Sequence, residues 1–379
     1  MPKIPAQDTN TPGNNTVKLL PRKETFLAHY PRRLKIAVAV VVLIFLLIPL
    51  LLGGSSKPMQ NMIAAAELAT ISHLNGTDSA AAIANPAYEK SNNNAAAKGN
   101  ASNAGTTMNA DDDRSVRMVT APDPAITEDT IEGSLPRISE DGRQPWQVYA
   151  RPFDGTDKRP RIAIVITDLG LSRVASDAAI SRLPASITLA FDVQSPVVGA
   201  WCARARQNGH ETLLMLPMEP FDYPRSDPGP HTLLTTLPNS DNIERFLWAL
   251  RQAAGYIGIT TITGSRFSTD PDKITPVLDI LHDRGLMVLD ARAAPHSTLE
   301  ELARRAHVPV TASSERIDQN PSPEAIEAAL AQLEQTARLT GRAVGVASPL
   351  PVTITEITQW SKQLAEHGFV LAPISAMVE

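Results

Sequence analysis

Five polar groups follow directly on short apolar runs, where a β/α scaffold presents its chemistry. Asp168 follows the run 162–166, Glu219 follows 212–216, and Gly264-Ser265-Arg266 follow 256–262. Asp290 and Arg292 follow 286–289, and Ser348-Pro349 follow 344–347. If these runs are parallel strands of one barrel, all five groups converge on the rim at the strands' C-terminal ends. Acids gathered there can hold a divalent metal, serve as acid and base, or bind sugar hydroxyls. Taken singly, each reads more simply as a helix cap or a loop-satisfying side chain. The coincidence of the set points to a site.

The elements that would position these groups alternate regularly from Arg161 onward. β-rich runs occupy 162–166, 187–191, 212–216, 256–262, 286–289, 308–311, 344–347 and 369–371. Most are continuously apolar, as strands buried on both faces should be. Helices are expected at 172–182, 196–208, 240–254, 271–284, 298–305, 322–340 and 355–367. The clearest is 322–340, with Ser322 as N-cap, Pro323 in the first turn and Gly341 as stop. Its Ile326, Leu330, Leu333 and Ala337 share one face. The alternation predicts an α/β fold, an irregular and incompletely closed (β/α) barrel, with an open doubly wound sheet as the alternative.

Other chemistries lack support. Glycine-rich nucleotide loops, H-E-x-x-H and G-x-S-x-G are all absent. The single cysteine, Cys202, excludes an intramolecular disulfide and a zinc–thiolate cluster, and reads as a buried inert thiol. His210 precedes the run 212–216 at the end away from the rim, so a structural hydrogen bond is expected of it. The proline-rich loop 217–230 carries Tyr223 and runs into His231. These two rings could stack on sugars, or the loop could simply cover the barrel mouth.

Charge divides the chain. Residues 1–35 hold seven basic side chains against two acidic ones, which leaves the remainder at −10 within an overall −5. So acidic a body is not a nucleic-acid binder. Residues 36–52 carry no charge, and Gly53-Gly54 extend the run to 19, long enough to cross a bilayer as a helix. Arg32, Arg33 and Lys35 abut its near end, which by the positive-inside rule keeps the N-terminus in the cytoplasm. A cleaved signal peptide is the rival, but the preceding basic region is long and no A-x-A site directly follows. The expectation is a basic cytoplasmic tail (1–35) and an uncleaved single-pass inner-membrane anchor (36–54). A disordered linker rich in Ala, Asn, Ser and Asp (55–134) then leads to a periplasmic domain (135–379).

From about residue 160 onward, motif order and spacing resemble the divergent polysaccharide deacetylase family. The family's IDDLG is matched by Ile166-Thr167-Asp168-Leu169-Gly170, and its GHE…HLPME by Gly209-His210-Glu211 and Met215-Leu216-Pro217-Met218-Glu219. NHMGS aligns with Thr261-Ile262-Thr263-Gly264-Ser265, and FLDS with Val288-Leu289-Asp290-Ala291. GHPHP-x-T aligns with Ala347-Ser348-Pro349-Leu350-Pro351-Val352-Thr353. The resemblance implies a barrel of the polysaccharide deacetylase type. It also implies a divalent metal such as zinc held by Asp and His, a carboxylate base, and attack of water on an N-acetyl group.

The chain departs from that pattern at most chemical positions. Thr167 stands where the base belongs, and Met215, Ile262, Ser348 and Leu350 stand where histidines belong. Asp168, His210, Glu211, Glu219, Arg266 and Asp290 remain. We therefore expect no bound metal or other cofactor, with Thr167, Met215, Ile262 and Ser348 forming a degenerate metal position. The expected function is a membrane-anchored protein of cell-envelope carbohydrate metabolism, either binding polysaccharide or oligosaccharide or regulatory. Asp168, Glu219, Arg266, Asp290 and Tyr223 would touch the sugar, and Asp168 and Asp290 would be the remnants of catalysis. A hydrolase with rearranged groups and a scaffold for envelope proteins are the alternatives.

Overall fold

Strands that pair with their neighbours in the chain set the architecture. The computed structural model describes residues 116–378 apart from 262, 293, 295 and 296. It opens with an antiparallel hairpin, β1 (Thr127–Thr130) and β2 (Gly133–Pro136), and a one-turn helix, α1 (Pro145–Val148). The alternation follows: β3 (Arg161–Leu169), α2 (Arg173–Arg182), β4 (Thr188–Asp192), α3 (Val198–Gln207), β5 (Thr212–Met215), α4 (Asn239–Leu250). It continues with β6 (Gly258–Thr261), α5 (Pro271–Asp283), β7 (Met287–Asp290), α6 (Leu299–Arg305), β8 (Val310–Ala312) and β9 (Glu315–Arg316). It ends with α7 (Pro323–Thr340), β10 (Arg342–Ala347), α8 (Pro351–Gln363) and β11 (Val370–Leu371).

The sheet order is β8-β7-β6-β5-β4-β3-β10-β9, every pair parallel, with β11 added beside the start of β3. β8 and β9 are two halves of one bent segment. Ser313 N donates to Asp290 O on β7 at 2.8 Å, and Ser314 N donates to Val344 O on β10 at 2.7 Å. The two ends of the sheet thus meet on adjacent residues, and the sheet curls round on itself. A doubly wound sheet would reverse its order at a switch point; none occurs, and that alternative falls.

Alternation along β3 separates two cores. Ile162, Ile164 and Ile166 pack with the helices, whereas Ala163 and Val165 join a cluster containing Ala190, Leu213, Met287, Leu289, Val344 and Val346. That second cluster takes strand residues and none from α2 to α8, so it is the inside of the ring. Gly258 is obligatory there, since a Cβ would lie 2.0 Å from the Met287 carbonyl oxygen. Ile126, Tyr149, Ile374 and Met377 complete the inner cluster from the strands' N-terminal side and form its floor.

A buried carboxylate ties the floor together. Glu211 accepts from Arg151 N at 2.7 Å, from Ser375 N at 3.2 Å, from Thr188 Oγ1 at 3.4 Å and from the Ser375 hydroxyl. Its neighbour His210 is fully buried, its ring nitrogens 2.8 Å from Ile187 O and 3.1 Å from Ile180 O. It joins α2 to the residue preceding β4, the structural role expected of it. Cys202 is buried in α3, and burial pushes its thiol up to about 12.

Some expectations need correction. The hairpin begins inside the stretch 55–134 expected to be a linker and runs past its end. The folded domain includes residues before 135, since Ile126 is buried in the floor and Asp123 N donates to Tyr149 Oη at 2.9 Å. β9 was not anticipated, and α8 starts at Pro351 rather than at 355 because Pro351 suits a first helical turn. The tail 1–35 and the apolar run 36–54 lie outside the described residues. Among the described residues, no helix is long and apolar enough to cross a membrane.

The close approach at Gly258 yields a stability prediction. Gly258→Ala should cost about 3 kcal/mol or more in urea unfolding, because the added methyl must displace backbone. Gly155→Ala, with nothing within 4 Å of its Cβ position, should stay within about 0.5 kcal/mol of the parent. Equal effects would contradict the close packing of β6 on β7.

Candidate functional site

The rim is organised by a bulge. β3 and β4 pair at Val165↔Thr188 and Ile166↔Leu189, then shift so that Leu169 meets Phe191. The slip puts Asp168 at φ 57, a left-handed conformation that Asp tolerates better than most residues. Bulges re-aim side chains; here the Asp168 carboxylate turns to the mouth, 44% exposed. Around it gather the expected positions. The Thr167 hydroxyl lies 3.1 Å from Asp168 Oδ2, Asp168 N donates to Met215 Sδ at 2.9 Å, and Ser348 Oγ lies 3.4 Å from Asp168 Oδ2. Ile262 is outside the described residues.

Three residues not anticipated complete this cluster. Arg316 places Nη2 against the Ser348 hydroxyl and 3.9 Å from Asp168 Oδ2, while its Nε lies 3.1 Å from Asp318 Oδ1. Asp318 has a fully buried side chain, and its Oδ2 accepts from Ser348 N at 2.6 Å and from Thr353 Oγ1 at 3.3 Å. Asp192 ends β4 and accepts from Gln194 N at 2.9 Å. Burial holds its carboxyl above the ordinary value, the Gln194 N–H opposes this, and the charge of Asp168 adds to it. Asp192 carried the same signal as Asp168, an acid just past an apolar run. Arg316 lies in a strand too short to read, and Asp318 just beyond it.

The remaining predicted contacts are placed differently. Glu219 is 2% exposed, and its Oε2 accepts from Thr235 N at 2.5 Å and Thr235 Oγ1 at 2.7 Å. Its Oε1 pairs with Arg266 Nη1 at 3.2 Å. Both residues fasten the 217–235 loop, because a buried acid must find donors. Asp290 is buried and accepts from Arg292 N at 2.8 Å; burial raises its carboxyl, and the Arg292 N–H and Ser297 act against that. It shapes the loop after β7 instead of facing the mouth. Tyr223 sits half-buried in the 217–235 loop. His231 stacks on Trp248 with ring centroids 3.5 Å apart, so that face is unavailable to a sugar. Exposed Leu171, Val197, Phe221 and Leu350 stand on the loops after β3, β4, β5 and β10, and exposed Val174 in the first turn of α2.

Zinc sites take imidazole, thiolate and carboxylate donors. Among the described residues, no three His, Cys, Asp or Glu side chains are grouped to hold a metal. Asp168 is surrounded by two hydroxyls, a thioether and a guanidinium. Weak neutral donors with a fixed cation beside the central carboxylate do not fit a divalent metal.

Comparison with known proteins supports the fold and gives the family. Residues 164–378 match the family described as divergent polysaccharide deacetylase. An uncharacterized protein of Haemophilus influenzae is 26% identical over 207 residues, 54% of this chain and 72% of that one. The uncharacterized protein YibQ of Escherichia coli is 25% identical over 200 residues, 52% of this chain and 61% of its own. The crystal structure of an uncharacterized protein from Agrobacterium tumefaciens superposes with a TM-score of 0.63 at 35% identity, covering 65% of this chain and 100% of that one.

The buried acids fix a pH dependence. Asp192, Asp290 and Glu211 are all raised, burial being the largest cause in each. Between the unfolded carboxyl value, about 4, and the raised folded values, the folded state binds more protons than the unfolded state. The stability these groups contribute is therefore full below that window and is lost as pH rises through it. Urea unfolding of Asp192→Asn should show a shallower fall in stability from about pH 4 to 7 than the parent. A steeper or unchanged fall would refute the assignment of a raised Asp192.

Proposed function

The chain belongs to the divergent polysaccharide deacetylase family, and from that premise we propose that it recognises cell-envelope carbohydrate without metal-dependent hydrolysis. The observation that carries this reading is the cluster of Thr167, Asp168, Met215 and Ser348, with Arg316 beside it where a metal would need imidazoles. Metal-assisted deacetylation needs an open Lewis acid to generate hydroxide at neutral pH, and these residues supply none.

What they supply is recognition. Asp168 accepts hydrogen bonds from sugar hydroxyls, and Arg316 offers N–H donors beside it. Leu171, Val174, Val197, Phe221 and Leu350 offer apolar surface to the C–H faces of the rings, and Tyr223 lies on the neighbouring loop. Glu219, Arg266 and Asp290 support the loops that carry these contacts. In this reading residues 36–54 anchor the protein in the inner membrane with its C-terminal domain in the periplasm, close to its carbohydrate.

A second reading has one observation in its favour. Asp192, raised by burial, and Asp168, exposed, form a carboxyl pair in unlike environments, the arrangement that separates acid from base. A metal-independent hydrolase would use them so.

The purified protein should carry no stoichiometric zinc, cobalt or nickel and should release no acetate from N-acetylated oligosaccharides. Asp168→Ala should weaken oligosaccharide binding by roughly tenfold with an unchanged Tm, as loss of a charged hydrogen bond does. Glu219→Ala should lower Tm instead. One equivalent of tightly held metal together with acetate release would restore the deacetylase. Acetate release without metal, abolished by Asp192→Asn, would favour the second reading. For the anchor, a reporter that works only outside the cytoplasm should be active when fused after Glu379. Activity of a cytoplasm-only reporter there would overturn the topology.

A further inference from the structure

We infer that Arg316 takes over both the position and the charge of the metal, as a cation built into the chain that binds the rim together and keeps divalent ions out. The inference rests on the metal-free reading of the rim and adds the cause of it.

The register delivers the side chain. Arg316 pairs opposite Val346 across β9 and β10, and Val346 belongs to the inner cluster, so Arg316 projects from the inside of the ring into the mouth. Ile317, next in sequence, packs with the helices on the outside. From there the planar guanidinium spans two acids, with Nε on Asp318 and Nη2 beside Ser348 and Asp168. A guanidinium suits this role, since its fork reaches partners in different directions and keeps its charge at any ordinary pH. Asp318 makes the arrangement hard to displace. Its side chain is fully buried, and losing its cationic partner would leave an uncompensated charge in the interior.

Exclusion of a metal follows from the same geometry. An ion bound to Asp168 and the residue at 348 would lie beside the guanidinium, which is 3.9 Å from Asp168 Oδ2 and touches the Ser348 hydroxyl. Two cations that close repel strongly at the dielectric of a protein surface. Arg316 could yield only by abandoning Asp318. Restoring imidazoles at 215 and 348 would thus be insufficient for zinc binding while Arg316 remains.

The test compares zinc affinity, by calorimetry and equilibrium dialysis, in the full chain carrying Met215→His and Ser348→His, with and without Arg316→Ala. Because Arg316→Ala leaves Asp318 without its partner, a parallel variant also carries Asp318→Asn to preserve folding. Both variants lacking Arg316 should bind one zinc roughly a hundredfold or more tightly than the variant that keeps it. Equal affinity with and without Arg316, or no zinc binding in any variant, would overturn the assignment. Stoichiometric metal in the unmutated protein would instead defeat the metal-free reading itself, so the two failures are distinguishable.

Discussion

The split hydrogen bonding of Ser313 and Ser314 is the constraint on which the molecule depends. One residue donates to β7 and the next to β10, so a single short segment closes the curl of the sheet. A parallel sheet left open there would present two unpaired edges, and closure removes most of that liability. The bend has a price in the wall: a cavity of about 300 Å³ remains between β8 and β10, lined by residues including Thr311, Ser314, Thr340 and Arg342. It also has a product. The two residues beyond the bend bring Arg316 into the mouth, and the chain then turns Asp318 back under Ser348.

Acids do much of the architecture. Glu211 fastens the floor, Glu219 the 217–235 loop, Asp290 the loop after β7 and Asp318 the junction of β10 with α8. Each is buried and each is met by backbone or side-chain donors, as a carboxylate removed from water must be. Asp168 differs from all four. A bulge holds it outward at the cost of a left-handed backbone, and such local strain is characteristic of residues kept for use.

The barrel was legible because its strands are buried on both faces. Continuous apolar runs such as 162–166 and 286–289 announce themselves, and capped helices such as α7 supply the punctuation. β1 was hidden by its polar, partly exposed Thr127-Glu128-Asp129-Thr130, and β9 by having only two residues. In the site, the meeting of Asp168, Met215 and Ser348 was readable from motif order. The roles of Glu219 and Asp290 were not, because an acid after a strand looks the same whether it turns to the mouth or to loop amides. Arg316 left no trace, since nothing in its surroundings marks it as part of a sheet.

The first described residues reach the barrel from its floor. Val119 O accepts from Arg206 Nη2 at 2.6 Å, Ala121 packs against Gly255, and Ile126 plugs the inner cluster. Arg206 lies in the last turn of α3 and Gly255 precedes β6, both at the end opposite the mouth. Tension transmitted along the polypeptide from its N-terminal side is therefore borne by the hairpin and the floor plug. The mouth lies at the far end of the load path. Pulling on the chain strips the floor first, and the geometry around Asp168 survives until the strands themselves part.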